Sequence, residues 1–144
     1  MNNINKKLLG LLSFFTVQSF SFCSKSDDPT NGNSTNAKTT AVFNSSLTYG
    51  TMTDQDGNVY QTITTGSQTW MAENLRTTKY NDGTAIANVS TNSDWTNLST
   101  GAYCNYNNTS NEDTIATDGR LYNWYAVNVG NLAPKGWHVA TNSE

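Results

Sequence analysis

An apolar run covers residues 8–22, set behind Lys6 and Lys7 and closed by Cys23. Ser13, Thr16, Gln18, Ser19 and Ser21 interrupt it. A helix that spans a bilayer needs about twenty apolar residues, and this run has only about fifteen. It therefore reads as the h-region of a secretion signal, with the two lysines as the positive n-region. A buried amphipathic helix is the alternative. The extreme N-terminal position and the lack of any acidic residue before Asp27 argue against it. With residues 1–22 taken as a signal peptide, roughly a hundred residues remain to build a domain. A chain of that size buries roughly 60–65 % of its unfolded surface, so the core must be small.

Beyond the apolar run the chain is polar but weakly charged. Hydrophobic residues make up 35 % of the chain and charged residues 13 %, both low for a globular protein. Asn, Thr and Ser fill the difference. Their amides and hydroxyls suit exposed strands and turns, where they bond neighbouring backbone. Long helices would want more Ala, Leu, Glu and Lys. The composition predicts a β-rich α+β fold. The net charge of −3 comes with eight scattered basic residues. Without a basic patch there is no footprint for nucleic acid.

Cys23 ends the apolar run where the acceptor Cys of a bacterial lipoprotein signal would stand, and it is the expected lipidation site. Phe22 departs from that pattern, which has a small residue before the Cys. An ordinary signal-peptidase cut at Ser19-Phe20-Ser21 or Ser21-Phe22-Cys23 is the alternative. The charged stretch at residues 24–28 resembles a surface-export signal of Bacteroidetes-type lipoproteins. Residues 23–47 together read as the anchor Cys and a disordered polar tether, since they cannot bury enough surface to fold. The partner implied is a membrane, reached through the lipid, at the outer membrane or cell surface.

The domain occupies residues 48–144. Residues 47–53 and 59–65 read as strands joined by the turn-rich residues 54–58, a β-hairpin. A calcium loop is excluded by its spacing: counted from Asp54, glycine comes fourth rather than sixth, and Thr65 stands where the last acid belongs. Gly66-Ser67-Gln68 and Asn81-Asp82-Gly83 are further turns. Ser93 is the expected cap of a short helical turn, and residues 107–118 read as an exposed loop. Leu121, Trp124, Tyr125 and Asn128 fall at helical spacing, which predicts a short helix near 121–129 with one aromatic face packed. The aromatics are expected in the core, with sugar stacking as the alternative. Thr141 followed by Glu144 is a capping box at the last residues of the chain, from which we expect the sequence to be a fragment.

Several ordered motifs resemble the Fibrobacter succinogenes major paralogous domain. They are Asp56-Gly57-Asn58-Val59-Tyr60, Trp70-Met71-Ala72-Glu73-Asn74-Leu75, Tyr80-Asn81-Asp82-Gly83-Thr84 and Gly101-Ala102-Tyr103-Cys104. Leu121-Tyr122-Asn123-Trp124-Tyr125-Ala126-Val127 and Gly136-Trp137-His138-Val139 continue the series. The resemblance covers the domain to its end. It implies an incomplete C-type-lectin-like or formylglycine-generating-enzyme-like domain, found in secreted and surface lipoproteins. It also implies that Cys104 pairs in a disulfide with a segment beyond this sequence, and Ala133 stands where the family often has Cys.

No catalytic, cofactor-binding or metal-binding constellation can be assembled. A nucleophilic Cys104 would need a base, and nothing in the sequence brings His138, the single histidine, near it. The expectation is a non-enzymatic surface module whose partner is a glycan or the extracellular matrix. The alternatives are a structural or truncated remnant and an enzyme related to formylglycine-generating oxidases.

Overall fold

A computed structural model describes residues 5–8 and 39–144. Cys23, the rest of the signal and most of the tether lie outside the described residues. The fold is mixed α+β and strand-rich, with two small sheets and a few short helices.

The first sheet grows from two hairpins. Strand β2 (Gly50–Thr53) pairs antiparallel with β3 (Val59–Thr65), and β3 pairs antiparallel with β4 (Gln68–Met71). The first turn is set by Asp54. Its Oδ1 accepts from the backbone N–H of Asp56 and of Asn58, both at 2.9 Å. Gly57 supplies the left-handed residue the turn needs, at φ 84°. Gly66-Ser67 closes the second hairpin as a two-residue loop, again with glycine at positive φ. Strand β1 (Asn5–Leu8) continues this sheet in parallel with β4, and β8 (His138–Val139) pairs in parallel with β1.

The second sheet has three strands, β5 (Ala87–Asn88), β6 (Ala102–Asn105) and β7 (Arg120–Tyr122), with β6 in the middle. Helix α1 (Asn92–Thr96) lies between β5 and β6. A 3-10 turn (Tyr106–Asn108) and helix α2 (Glu112–Asp118) connect β6 to β7, and helix α3 (Trp124–Asn128) follows β7.

Three local expectations are corrected. Residues 107–118 are not all loop, because Asn111 caps α2 by accepting from the Thr114 N–H at 2.9 Å, and Ile115 and Ala116 give it a buried face. The cap position of α1 is Thr91 rather than Ser93, and its hydroxyl donates to the Asp94 carboxylate. The helix expected near 121–129 is shorter: 120–122 is strand, and Asn123 starts α3 by accepting from the Ala126 N–H at 2.9 Å. The same Asn123 side chain accepts from Ala102 N–H and donates to the Thr100 carbonyl, so one residue both caps α3 and fixes the entry to β6. The expected aromatic face does not pack. Leu121, Trp124 and Tyr125 are exposed, and Ala126 is the buried residue of α3.

The core gathers Met52, Tyr60, Met71, Leu75, Tyr80, Ile86, Tyr103, Ala126, Leu132 and Ala133. Tyr60 is fully buried. Its hydroxyl donates to Asp54 Oδ2 at 2.6 Å, and the Arg76 guanidinium lies 4.7 Å above its ring. Burial, with the Asp54 charge added, holds this phenol far above its ordinary pKa.

Residues 75–79 belong to no helix or strand of either sheet, yet 75–77 are buried. Their backbone groups find partners on both sides. From the first sheet, Arg76 N–H donates to the Tyr60 hydroxyl at 3.0 Å, and Thr78 N–H donates to Asp56 Oδ2. From the second, Arg120 N–H donates to the Leu75 carbonyl and Arg120 Nε to the Arg76 carbonyl, both at 2.9 Å. The Tyr122 hydroxyl donates to the Thr77 carbonyl at 2.7 Å. Gly119 lets β7 approach this closely: a Cβ there would stand 2.8 Å from the Leu75 carbonyl oxygen.

Asp56 anchors the strip from the turn. It accepts from the Thr78 hydroxyl at 2.9 Å and pairs with Lys79 Nζ at 3.1 Å. Burial alone would raise its pKa, but the Thr78 hydrogen bonds and the Lys79 ammonium outweigh it and hold the carboxyl below its usual value. A depressed carboxyl pKa contributes stability that is present above the unfolded value, about 3.9, and is lost as pH falls through the folded one. Asp56→Asn is therefore expected to lower stability at pH 7 by on the order of 1–2 kcal/mol. The gap between the two proteins should narrow as pH drops below about 4. Urea titrations of both proteins across that range check this; a gap independent of pH would contradict it.

Candidate functional site

The second sheet places an open concavity on the described surface. Strand β6 runs into the turn at residues 106–108, where Asn107 (φ 49°) and Asn108 (φ 50°) are successive left-handed residues. Asn tolerates this backbone better than most residues because its short polar side chain can bond locally. Here the Asn108 amide donates to the Ser90 carbonyl at 3.1 Å, and the Asn105 amide donates to the Thr109 carbonyl at 2.7 Å. The turn is thereby held against the segment between β5 and α1.

A cavity of about 330 Å³ opens on one side of this turn. Trp95 of α1 and Tyr106 give it aromatic surface, with Tyr106 55 % exposed. Ser90, Asn92, Asn105, Asn107 and Asn108 give it neutral polar groups, and Val89, Cys104 and Leu121 complete the wall. Among the described residues, the side-chain amides of Asn92 and Asn107 bond to no protein group. A second cavity of about 330 Å³ lies across the turn and shares Ser90, Asn105 and Asn108 with the first. It is more polar, and Glu112 and Arg120 line it. Arg120 is already committed: its Nη1 donates to Asn105 Oδ1, and its guanidinium lies 4.7 Å above the Tyr103 ring.

Apart from the thiol, the first cavity is lined by no side chain that ionises near neutral pH. Burial raises the pKa of Cys104, so the thiol is neutral at pH 7. The groove thus offers aromatic faces, amides and a hydroxyl without charge. Such a wall suits a neutral ligand with many hydroxyls, whose apolar faces stack and whose oxygens bond amides.

Of the residues singled out in the sequence, Cys104 is half-buried in this groove and has no disulfide among the described residues. His138 stands in β8 of the other sheet, with its Nε2 3.2 Å from both Glu144 carboxylate oxygens. Cys104 and His138 are therefore held in separate sheets. The Thr141–Glu144 pair does form one half of a capping box, since Glu144 Oε2 accepts from Thr141 N–H at 2.9 Å. No group of three His, Cys, Asp or Glu among the described residues could hold a metal. Among the described residues no helix is long and apolar enough to cross a membrane.

The groove was not legible in the sequence. Its residues come from 89–95, 104–108 and Leu121, which the β5–β6 and β6–β7 pairings, the Val89 N–H to Tyr103 carbonyl bond and the Asn108–Ser90 bond bring together. The repeated Asn in residues 105–108 was the available signal, because adjacent Asn residues are good candidates for left-handed backbone.

The Cys104 thiol should react slowly with iodoacetamide at pH 8 in the native protein and at the rate of a free cysteine in denaturant. Native alkylation as fast as the denatured rate would mean that the thiol is neither buried nor shifted.

A family described as the Fibrobacter succinogenes major domain matches residues 63–144, beginning inside β3 and including the whole of the groove. No curated protein and no solved structure matches the chain.

Proposed function

This chain belongs to the Fibrobacter succinogenes major domain family, and from that premise we propose that it is an exported, lipid-anchored surface module that binds neutral glycan without catalysis. The observation that supports the binding role most is the groove between Trp95 and Tyr106: two aromatic side chains and a set of amides, with no charged side chain on its wall. The non-enzymatic reading is supported by a protonated Cys104 and a His138 held in the other sheet. A C-type-lectin-like arrangement belongs to the same reading. Its support is the chain order, in which α3 leads into the Gly136-Trp137 turn and strand β8.

Export and anchoring are supported by the sequence: the lysines at 6 and 7, the apolar run and Cys23 at its end. Cells that express the chain and are fed an alkyne-tagged fatty acid should label it, and Cys23→Ser should abolish the label. A labelled Cys23→Ser variant, or an unlabelled parent chain, would refute the anchor.

Binding is tested with the full chain on an array of neutral and acidic glycans. Contact with an aromatic face is worth about 0.5–1.5 kcal/mol, so Trp95→Ala and Tyr106→Ala should each weaken binding by roughly two- to ten-fold. Trp124→Ala, outside the groove, should leave binding unchanged. No binding by the parent chain, or binding that survives both groove substitutions, would overturn this site.

A further inference from the structure

The first sheet contains an arrangement that the groove does not use. Strand β4 is fixed on one side by its hairpin with β3. Strand β8 is held from below, because Trp137 and Val139 pack on the core cluster and Trp137 N–H donates to the Pro134 carbonyl at 2.9 Å. Among the described residues β8 pairs with β1 alone, and on its far side β4 also pairs with β1 alone. Two edges positioned by other contacts thus face each other across the width of one strand. Neighbouring strands lie about 4.8 Å apart, so the edges stand roughly 10 Å from one another. Each presents backbone N–H and C=O groups to the gap, and unpaired edges of this kind recruit extended chain.

The segment that fills the gap comes from far away in the sequence. Asn5, Lys6 and Lys7 register against Gln68, Thr69 and Trp70, while Lys7 and Leu8 register against His138 and Val139. Both pairings are parallel. We propose that the space between β4 and β8 is a strand-acceptor site that takes an extended peptide parallel to both edges, and that its occupant in the uncleaved chain is residues 5–8. Recognition is through backbone, with the core-anchored β8 as one wall and β4 as the other. The site does not depend on glycan binding. If residues 1–22 are removed on export, the acceptor loses its strand, and β8 is left paired to nothing among the described residues.

The test is hydrogen exchange on the purified full chain. In the parent, the amides of 68–71 and 138–139 should be protected. Lys6→Pro combined with Lys7→Pro removes two backbone donors from the inserted strand. Exchange at 68–71 and 138–139 should then rise about ten-fold or more, with the β2–β3 hairpin unchanged. A synthetic peptide of residues 1–12 added to this variant should restore the protection. Unchanged exchange in the proline variant, or no recovery with the peptide, would overturn the proposal. Should the variant also lose protection in the hairpin, a cross-link decides. Lys6→Cys with Thr69→Cys, in a chain carrying Cys23→Ser and Cys104→Ser, should oxidise to a disulfide, since neighbouring strands bring Cα atoms within about 5–6 Å. Failure to form it under conditions that oxidise free cysteine would overturn the proposal as well.

Discussion

The two sheets of this protein are joined by five residues that belong to neither. The strip at 75–79 has no ladder of its own, and 75–77 are buried, so its peptide groups have to be bonded by something else. Side chains do most of it: the Tyr60 hydroxyl and Asp56 from the hairpin sheet, Arg120 Nε and the Tyr122 hydroxyl from the other, joined by the backbone N–H groups of Arg120 and Ile86 on the Leu75 and Thr78 carbonyls. Each of these contacts satisfies a backbone group that would cost about 1–3 kcal/mol if left buried and unpaired. The requirement explains residue choices that hydrophobicity does not. Tyr60 carries a hydroxyl in the core because Arg76 N–H needs an acceptor, and Asp54 then supplies the acceptor that the hydroxyl itself requires.

The same constraint reaches the groove. Arg120 uses its backbone N–H and Nε on the strip, which directs the rest of the guanidinium over Tyr103 and onto Asn105. Asn105 is thereby fixed at the base of the turn carrying Tyr106, Asn107 and Asn108. A wall of neutral amides is thus positioned by a charged residue whose Nε and Nη1 are already engaged.

The first hairpin and the turn that closes the second were legible in the sequence, because they are specified by local chemistry: an Asp that bonds two N–H groups later in the same turn, and glycines where φ is positive. The turn at 81–83 was legible for the same reason, with Thr84 N–H donating to Asp82 Oδ1. The helices were less so. With two buried residues, α2 has too short an apolar pattern to rise above loop, and its Asn cap looks like any other Asn in an Asn-rich stretch. The i, i+3, i+4 spacing of Leu121, Trp124 and Tyr125 misled, because the small Ala126 is what lets α3 lie close to β6; Gly101, just before that strand, has the Ala126 Cα 3.0 Å from where its own Cβ would be. The expectation that aromatics pack inside held for Tyr60, Tyr80 and Tyr103 and failed for Tyr106 and Trp124. The groove was out of reach of periodicity altogether, since it exists only where β5 and β6 pair.

The strip also bears on how the chain reaches its fold. The hairpins close over a few residues, whereas the bonds from Arg120 and Tyr122 to the strip join positions 44 and 45 residues apart. Loop-closure entropy makes such distant contacts slow to form relative to local ones. The five-stranded sheet likewise needs distant pairing, since β1 and β8 come from opposite ends of the described chain. The contacts of β7 with residues 75–77 therefore belong to the non-local, slowly closing class. Gly119, which allows that approach, stands where a side chain would push the two sheets apart.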